Sequence, residues 1–161
     1  MAKRFSIFFV AISMILANSE SLAHNHRDTL GTGTRINFVQ NMGQWDNNIR
    51  FATQMQQAAL FVEPQRFTIV VRGAAPTDAP FHHARGHKLH AYRINFVGCN
   101  DNATIAGNDV GASYENFFIG NDPQRWKSHV PNYSNVEYAD LYPNINLRVY
   151  SAEHALKYDF I

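Results

Sequence analysis

The sequence has one cysteine, Cys99, in 161 residues. No internal disulfide can form, so the fold rests on its hydrophobic core. The lone thiol reads as a small apolar side chain rather than a reactive one. Charge of one sign is also lacking. Without Lys3, Arg4 and Glu20, which fall in a removable N-terminal segment, the 14 basic and 13 acidic residues become equal in number. A net charge near zero gives no attraction to nucleic acid or to an anionic membrane. No apolar run approaches the roughly 20 residues that a membrane span needs. Heptads, internal repeats and helical periodicity beyond a turn or two are missing too, which excludes coiled coils and solenoids.

What the N-terminus does have is a short basic start, Lys3 and Arg4, followed by the apolar run of residues 5–17. Ser21-Leu22-Ala23 then places small residues at −3 and −1 of a cleavage site before His24. This order is that of a secretory signal peptide, residues 1–23. A membrane anchor is the competing reading, but the run is short for it. No Cys follows the site, so a lipoprotein signal does not fit. Residues 24–34 are polar and read as a flexible leader. Residues 35–161 read as a single domain with one core.

Within that domain, short apolar runs alternate with turn residues. Strands are expected from Ile36, over residues 49–54 and 58–63, and over residues 67–72, where Phe67, Ile69 and Val71 share one side. Residues 73–88 carry Pro76 and Pro80 and read as a loop. Residues 89–98 are the clearest strand, with Tyr92, Ile94 and Phe96 alternating with Arg93 and Asn95. A short strand over 103–107 and a turn over 108–111 follow. Residues 114–150 are dense in aromatics and in turn residues such as Gly120-Asn121-Asp122-Pro123. They read as a knot of short strands and tight turns, on which the earlier strands pack. Residues 145–150 and 156–161 are expected to form a hairpin through Ser151-Ala152-Glu153. The fold class is therefore all-β: an antiparallel, sandwich-like domain with long loops.

Candidate chemistry is sparse. His82, His83, His87 and His90 lie close together and suit Zn²⁺ or Cu²⁺. The group has no carboxylate or Cys, however, and carries Arg85 and Lys88, so a solvated loop fits it better and no metal site is expected. Asp46, Asp122, Asp140 and Asp159 adjoin aromatics, as glycosidase acids do. Yet Asp46 and Asp122 stand in turns, where a carboxylate caps backbone N–H groups. No nucleophile–base pair stands out, so no catalytic residue and no cofactor are assigned. Trp45 and Trp126, with Asn121 and Asp122, are the candidate sugar-binding platform. The alternative is that both tryptophans anchor loops on the core. Trp126 in particular is expected to fold back over Phe117 or Phe118, with its truncation costing roughly 3–5 kcal/mol. Asn102-Ala103-Thr104 and Asn132-Tyr133-Ser134 match the N-glycosylation pattern, which arises often by chance.

Several segments in order resemble one family. The opening Phe38-Val39-Gln40-Asn41-Met42-Gly43-Gln44-Trp45 is similar to its F-x-E-N-x-G-Q-W motif. Residues 91–98 resemble its central strand. Asn116-Phe117-Phe118-Ile119-Gly120-Asn121-Asp122-Pro123, then Trp126 and Val130-Pro131, resemble its N-Y-F-x-G-N-D-P-x-x-W-x-x-x-V-P run. Leu141-Tyr142-Pro143-Asn144-Ile145-Asn146-Leu147 and Tyr158-Asp159-Phe160 complete the series. The family is the uncharacterised N-terminal domain of large secreted or cell-surface, S-layer-like proteins, many from Bacteroidota. Those proteins continue into β-propeller-like or PKD-type repeats and a sorting domain. Two departures are Gln40, where an acid is common, and a chain that stops at Ile161 where relatives run on, as a truncated domain would. The resemblance implies structural roles for the motif residues and no catalytic ones. It implies a non-enzymatic, secreted or cell-surface structural or adhesion-type module. Its expected partners are other surface domains or chains, with glycans as the alternative. No nucleic acid and no membrane span in the mature chain are expected.

Overall fold

The structure, a computed structural model, describes residues 36–73, 88–152 and 155–161. The expected signal peptide and leader, His82, His83 and His87 lie outside the described residues. The described chain is all-β, with nine strands in one curled sheet whose pairings are all antiparallel. The strands are β1 (Phe38–Gln40), β2 (Phe51–Gln54), β3 (Ala58–Glu63), β4 (Arg66–Arg72), β5 (Leu89–Asn95), β6 (Thr104–Phe117), β7 (Lys127–Tyr142), β8 (Ile145–Ala152) and β9 (Ala155–Phe160).

The sheet runs β5-β4-β3-β2-β1-β7-β8-β9, and among the described residues β6 pairs only with β7. β6 follows β7 along one edge, from Lys127 to Ala139. On the other edge β1 takes Asn132 and Tyr133, and β8 takes positions from Asn135 onward. The sheet therefore divides along β7 into two halves. One holds β1–β5 and the other holds β8 and β9. The halves curl to face each other, as rings show: Phe67 of β4 meets Tyr138 of β7 at 6.2 Å and Tyr158 of β9 at 6.3 Å.

β3 explains why the sheet is covered on both sides. Ala59, Leu60, Phe61 and Val62 are all fully buried, and alternate side chains of a strand point to opposite faces. Leu60 and Val62 join Phe38, Phe51, Phe67, Phe96, Tyr138, Leu147 and Val149 between the two halves. Ala59 and Phe61 join Val39, Ile49 and Val70 on the other face. That face is closed by Trp45 of the loop after β1 and by Phe117 at the end of β6, whose rings meet edge-on at 5.2 Å.

Two expectations need correction. Residues 103–111 are not a short strand and a turn, because β6 runs unbroken from Thr104 to Phe117. The turn residues are absorbed by an irregularity between Val110 and Tyr114, with Asp109 at a positive φ of 57°. Likewise, residues 114–150 are not a knot of short strands. They contain the 16-residue β7, which accommodates Pro131 and carries positive φ at His129 and Asp140. The β8–β9 hairpin forms, from Leu147↔Phe160 to Ala152↔Ala155, but Ser151 and Ala152, expected in its turn, are paired residues of β8. Residues 153 and 154 lie outside the described residues.

Candidate functional site

The polar residues of the first motif are spent on the loop that carries Trp45. The Asn41 side-chain amide donates to the carbonyls of Asp46 (2.9 Å) and Ile49 (2.8 Å). Its oxygen accepts from the backbone of Gly43 (3.0 Å) and Trp45 (3.2 Å). Gln44, itself buried, accepts from the Met42 N–H and donates to the Gln40 carbonyl, both at 2.7 Å. Gly43 has φ of 106°, open to glycine and strained for other residues. Asp46 caps the Asn48 N–H. The result is a locked loop that presses Trp45 into the core at 4% exposure. Trp45 thus has no face to offer a sugar, and the platform reading fails for it.

The second motif behaves differently. Asp122 caps a single 3-10 turn, Pro123–Arg125, by accepting from the Gln124 N–H at 3.0 Å. Gly120, at φ of 72°, turns the chain so that its carbonyl accepts from the Trp126 indole at 3.1 Å. Asn116 accepts from the His129 N–H. The Trp126 ring does fold back onto Phe118, edge-on at 5.9 Å, but the pair is not buried. Trp126 is 42% and Phe118 63% exposed. The expected burial of Trp126 is corrected: Phe117, not Phe118, fills the core beneath this loop. Asn121 and Asp122 are exposed in the same loop.

The other sequence candidates are dispersed. His90 is exposed on β5, and among the described residues no cluster of three His, Cys, Asp or Glu forms. Asp140 and Asp159 sit on different strands, the latter accepting from the Tyr150 hydroxyl at 2.8 Å. That bond raises the Tyr150 phenol above its ordinary value. Asn132 is buried and reaches Ser113, so its glycosylation pattern lies in the core rather than on a loop. Tyr142, Pro143 and Asn144 make the β7–β8 turn, with Tyr142 opposite Ile145 and Asn144 at φ of 61°.

Sequence reasoning missed two surfaces. One is a polar groove of about 580 Å³ on the outer side of the β7–β9 half, lined by Asp109, Asn135, Arg148, Tyr150 and Asp159 among others. It arises only because β6 and β9 flank β7 and β8. The other is the mouth between the two halves. β5 and β9 are the two ends of the sheet path. Their inward-facing residues are apolar and exposed: Tyr92 45% and Ile94 39% on β5, Tyr158 52% and Phe160 54% on β9. The register places Ile94 opposite Phe67 and Tyr92 opposite Ile69, and Phe160 opposite Leu147 and Tyr158 opposite Val149. Both rows thus continue the central core outward. Alternation in β5 was readable in the sequence, but its end position in the sheet was not.

This combination defines an all-β domain with a curled, antiparallel, sandwich-like sheet, with apolar rows exposed on both end strands of the described residues. The family model of a domain of unknown function, DUF7948, matches residues 38–161, and the chain belongs to that family. No curated protein and no solved structure matches the chain.

Proposed function

We propose that the chain is a non-enzymatic structural or adhesion-type module of a secreted or cell-surface, S-layer-like protein of the kind found in Bacteroidota. Its work is to pack against other protein. The observation that carries this reading is the pair of exposed apolar rows, Tyr92 with Ile94 and Tyr158 with Phe160, on the two end strands. Contiguous exposed apolar surface of this kind marks protein–protein contact. The order of basic, apolar and small residues before His24 supports export.

A second reading has its own observation. Trp126 and Phe118 are exposed side by side, with Asn121 and Asp122 exposed in the same loop, as in a carbohydrate-binding platform. A glycan array separates the two. The structural reading expects no glycan signal that depends on Trp126. Specific binding that disappears in Trp126→Ala, with the fold intact by circular dichroism, overturns it.

A further inference from the structure

We infer that β9 is a self-pairing edge, through which two copies of this chain join in one fixed register. The inference rests on the protein-contact reading above and names the partner: a second copy.

The argument starts from backbone direction. Asn146 and Ile161 exchange both N–H···O bonds, at 2.8 and 2.9 Å. The β8–β9 register continues from this pair without a bulge, through Arg148↔Asp159 and Tyr150↔Lys157. In an antiparallel ladder such bonded pairs alternate with non-bonded ones. The N–H and C=O groups of Lys157 and Asp159 therefore face β8. Those of Leu156, Tyr158 and Phe160 face the other way, where no strand of the described residues pairs with β9. Such an edge is a template for another strand.

The side chains decide which strand. A second β9 added antiparallel must bond through Leu156, Tyr158 and Phe160, so only registers that bring these positions opposite one another are allowed. Centring the two-fold axis on Lys157 opposes two lysines. Centring it on Asp159 opposes two aspartates. Like charges directly opposite destabilise a strand pair. Centring it on Tyr158 sets Lys157 against the partner's Asp159, and Asp159 against the partner's Lys157. These fall at non-bonded positions, where side chains approach most closely. On the inner face the same register sets Leu156 against the partner's Phe160, and Tyr158 against the partner's Tyr158. The apolar row at the mouth thereby becomes continuous across the axis. On the outer face Glu137 already bonds Arg148 at 3.1 Å, and Arg148 stands opposite Asp159. The partner's Lys157 completes a row of alternating sign across both copies.

The test is sedimentation velocity on the chain and two single variants, Lys157→Glu and Asp159→Lys, each checked for folding by circular dichroism. The wild type sediments as a dimer. Each variant alone faces its own copy with two like-charge pairs, and its self-association weakens by about tenfold or more. An equimolar mixture of the two restores the dimer, because every pair across the axis is again of opposite charge. Lys157→Glu leaves the Tyr150–Asp159 bond in place, so it is decisive even if Asp159→Lys does not fold. A monomeric wild type, a Lys157→Glu dimer as strong as the wild type, or a mixture of two folded variants that stays monomeric overturns the inference. These outcomes leave the glycan-array result untouched, so failure of the self-pairing edge is distinct from failure of the structural reading.

Discussion

The Asn41 amide and carbonyl tie backbone groups of Gly43, Trp45, Asp46 and Ile49 in the loop that seats Trp45. Asn41→Ala should therefore cost about 1–3 kcal/mol of stability, the range for orphaning bonded polar groups. Trp45→Ala should cost roughly 3–5 kcal/mol, as for truncating a large buried aromatic. Trp126→Ala should cost only about 1–2 kcal/mol, because its half-exposed ring leaves one indole hydrogen bond and part of its area to lose. Urea denaturation of the three variants tests the order; equal losses at Trp45 and Trp126 would contradict it. Tyr138 makes a pH prediction. Its buried hydroxyl donates to the Glu63 carbonyl at 2.6 Å and so bridges the two halves of the sheet. Burial first, then the Glu63 and Cys99 charges, push its phenol above its ordinary value of 10.0. The unfolded chain loses this proton near that value, whereas the folded chain keeps it. The contribution is thus full below pH 10 and falls as pH rises above it. Tyr138→Phe should lose about 1–3 kcal/mol at neutral pH. It should also show a shallower alkaline decline in stability, which denaturation curves from pH 8 to 11 measure. At this scale the sequence was legible where turn chemistry is local. Asp46 and Asp122 cap as their contexts indicate. The tryptophans were not separable, because the same residue type serves as core plug and surface ring.

Elements were legible where alternation is strict and both partners are close in sequence. The β8–β9 hairpin and β5 follow directly from their patterns. β6 and β7 did not, since each contains residues that locally signal turns. Gly107 is the instructive case. It reads as the end of a short strand but lies in mid-β6, where an added Cβ would overlap the ring of Tyr133 on β7. That ring cannot easily move, being edge-on to Phe51 at 5.6 Å and hydrogen-bonded through its hydroxyl to Gln40 at 3.0 Å. Gly107→Ala should therefore destabilise the protein by about 1–3 kcal/mol, as overpacking does. A melting temperature equal to the wild type would show that β6 and β7 are not apposed at this point. The glycine's cause is a partner 26 positions away, Tyr133, and no local pattern could report it.

For the whole molecule, which strands end the sheet decides what the surface does. The sequence shows the apolar residues of β5 and β9 but not that both rows extend the central core at the two ends of the sheet path, because that depends on β7 sharing one edge between β1 and β8. Alternation of backbone direction along β9 gives the sharpest test. Residue-resolved amide hydrogen exchange, run on dilute and concentrated chain, should find β3 among the slowest strands at both concentrations. Within β9, the amides of Lys157 and Asp159 should be protected at both, since they face β8. The amides of Leu156, Tyr158 and Phe160 should exchange quickly when dilute and slow by about tenfold or more when concentrated, as a second strand covers them. Equal protection along β9 in dilute solution, or fast exchange at these three positions at every concentration, would contradict the account.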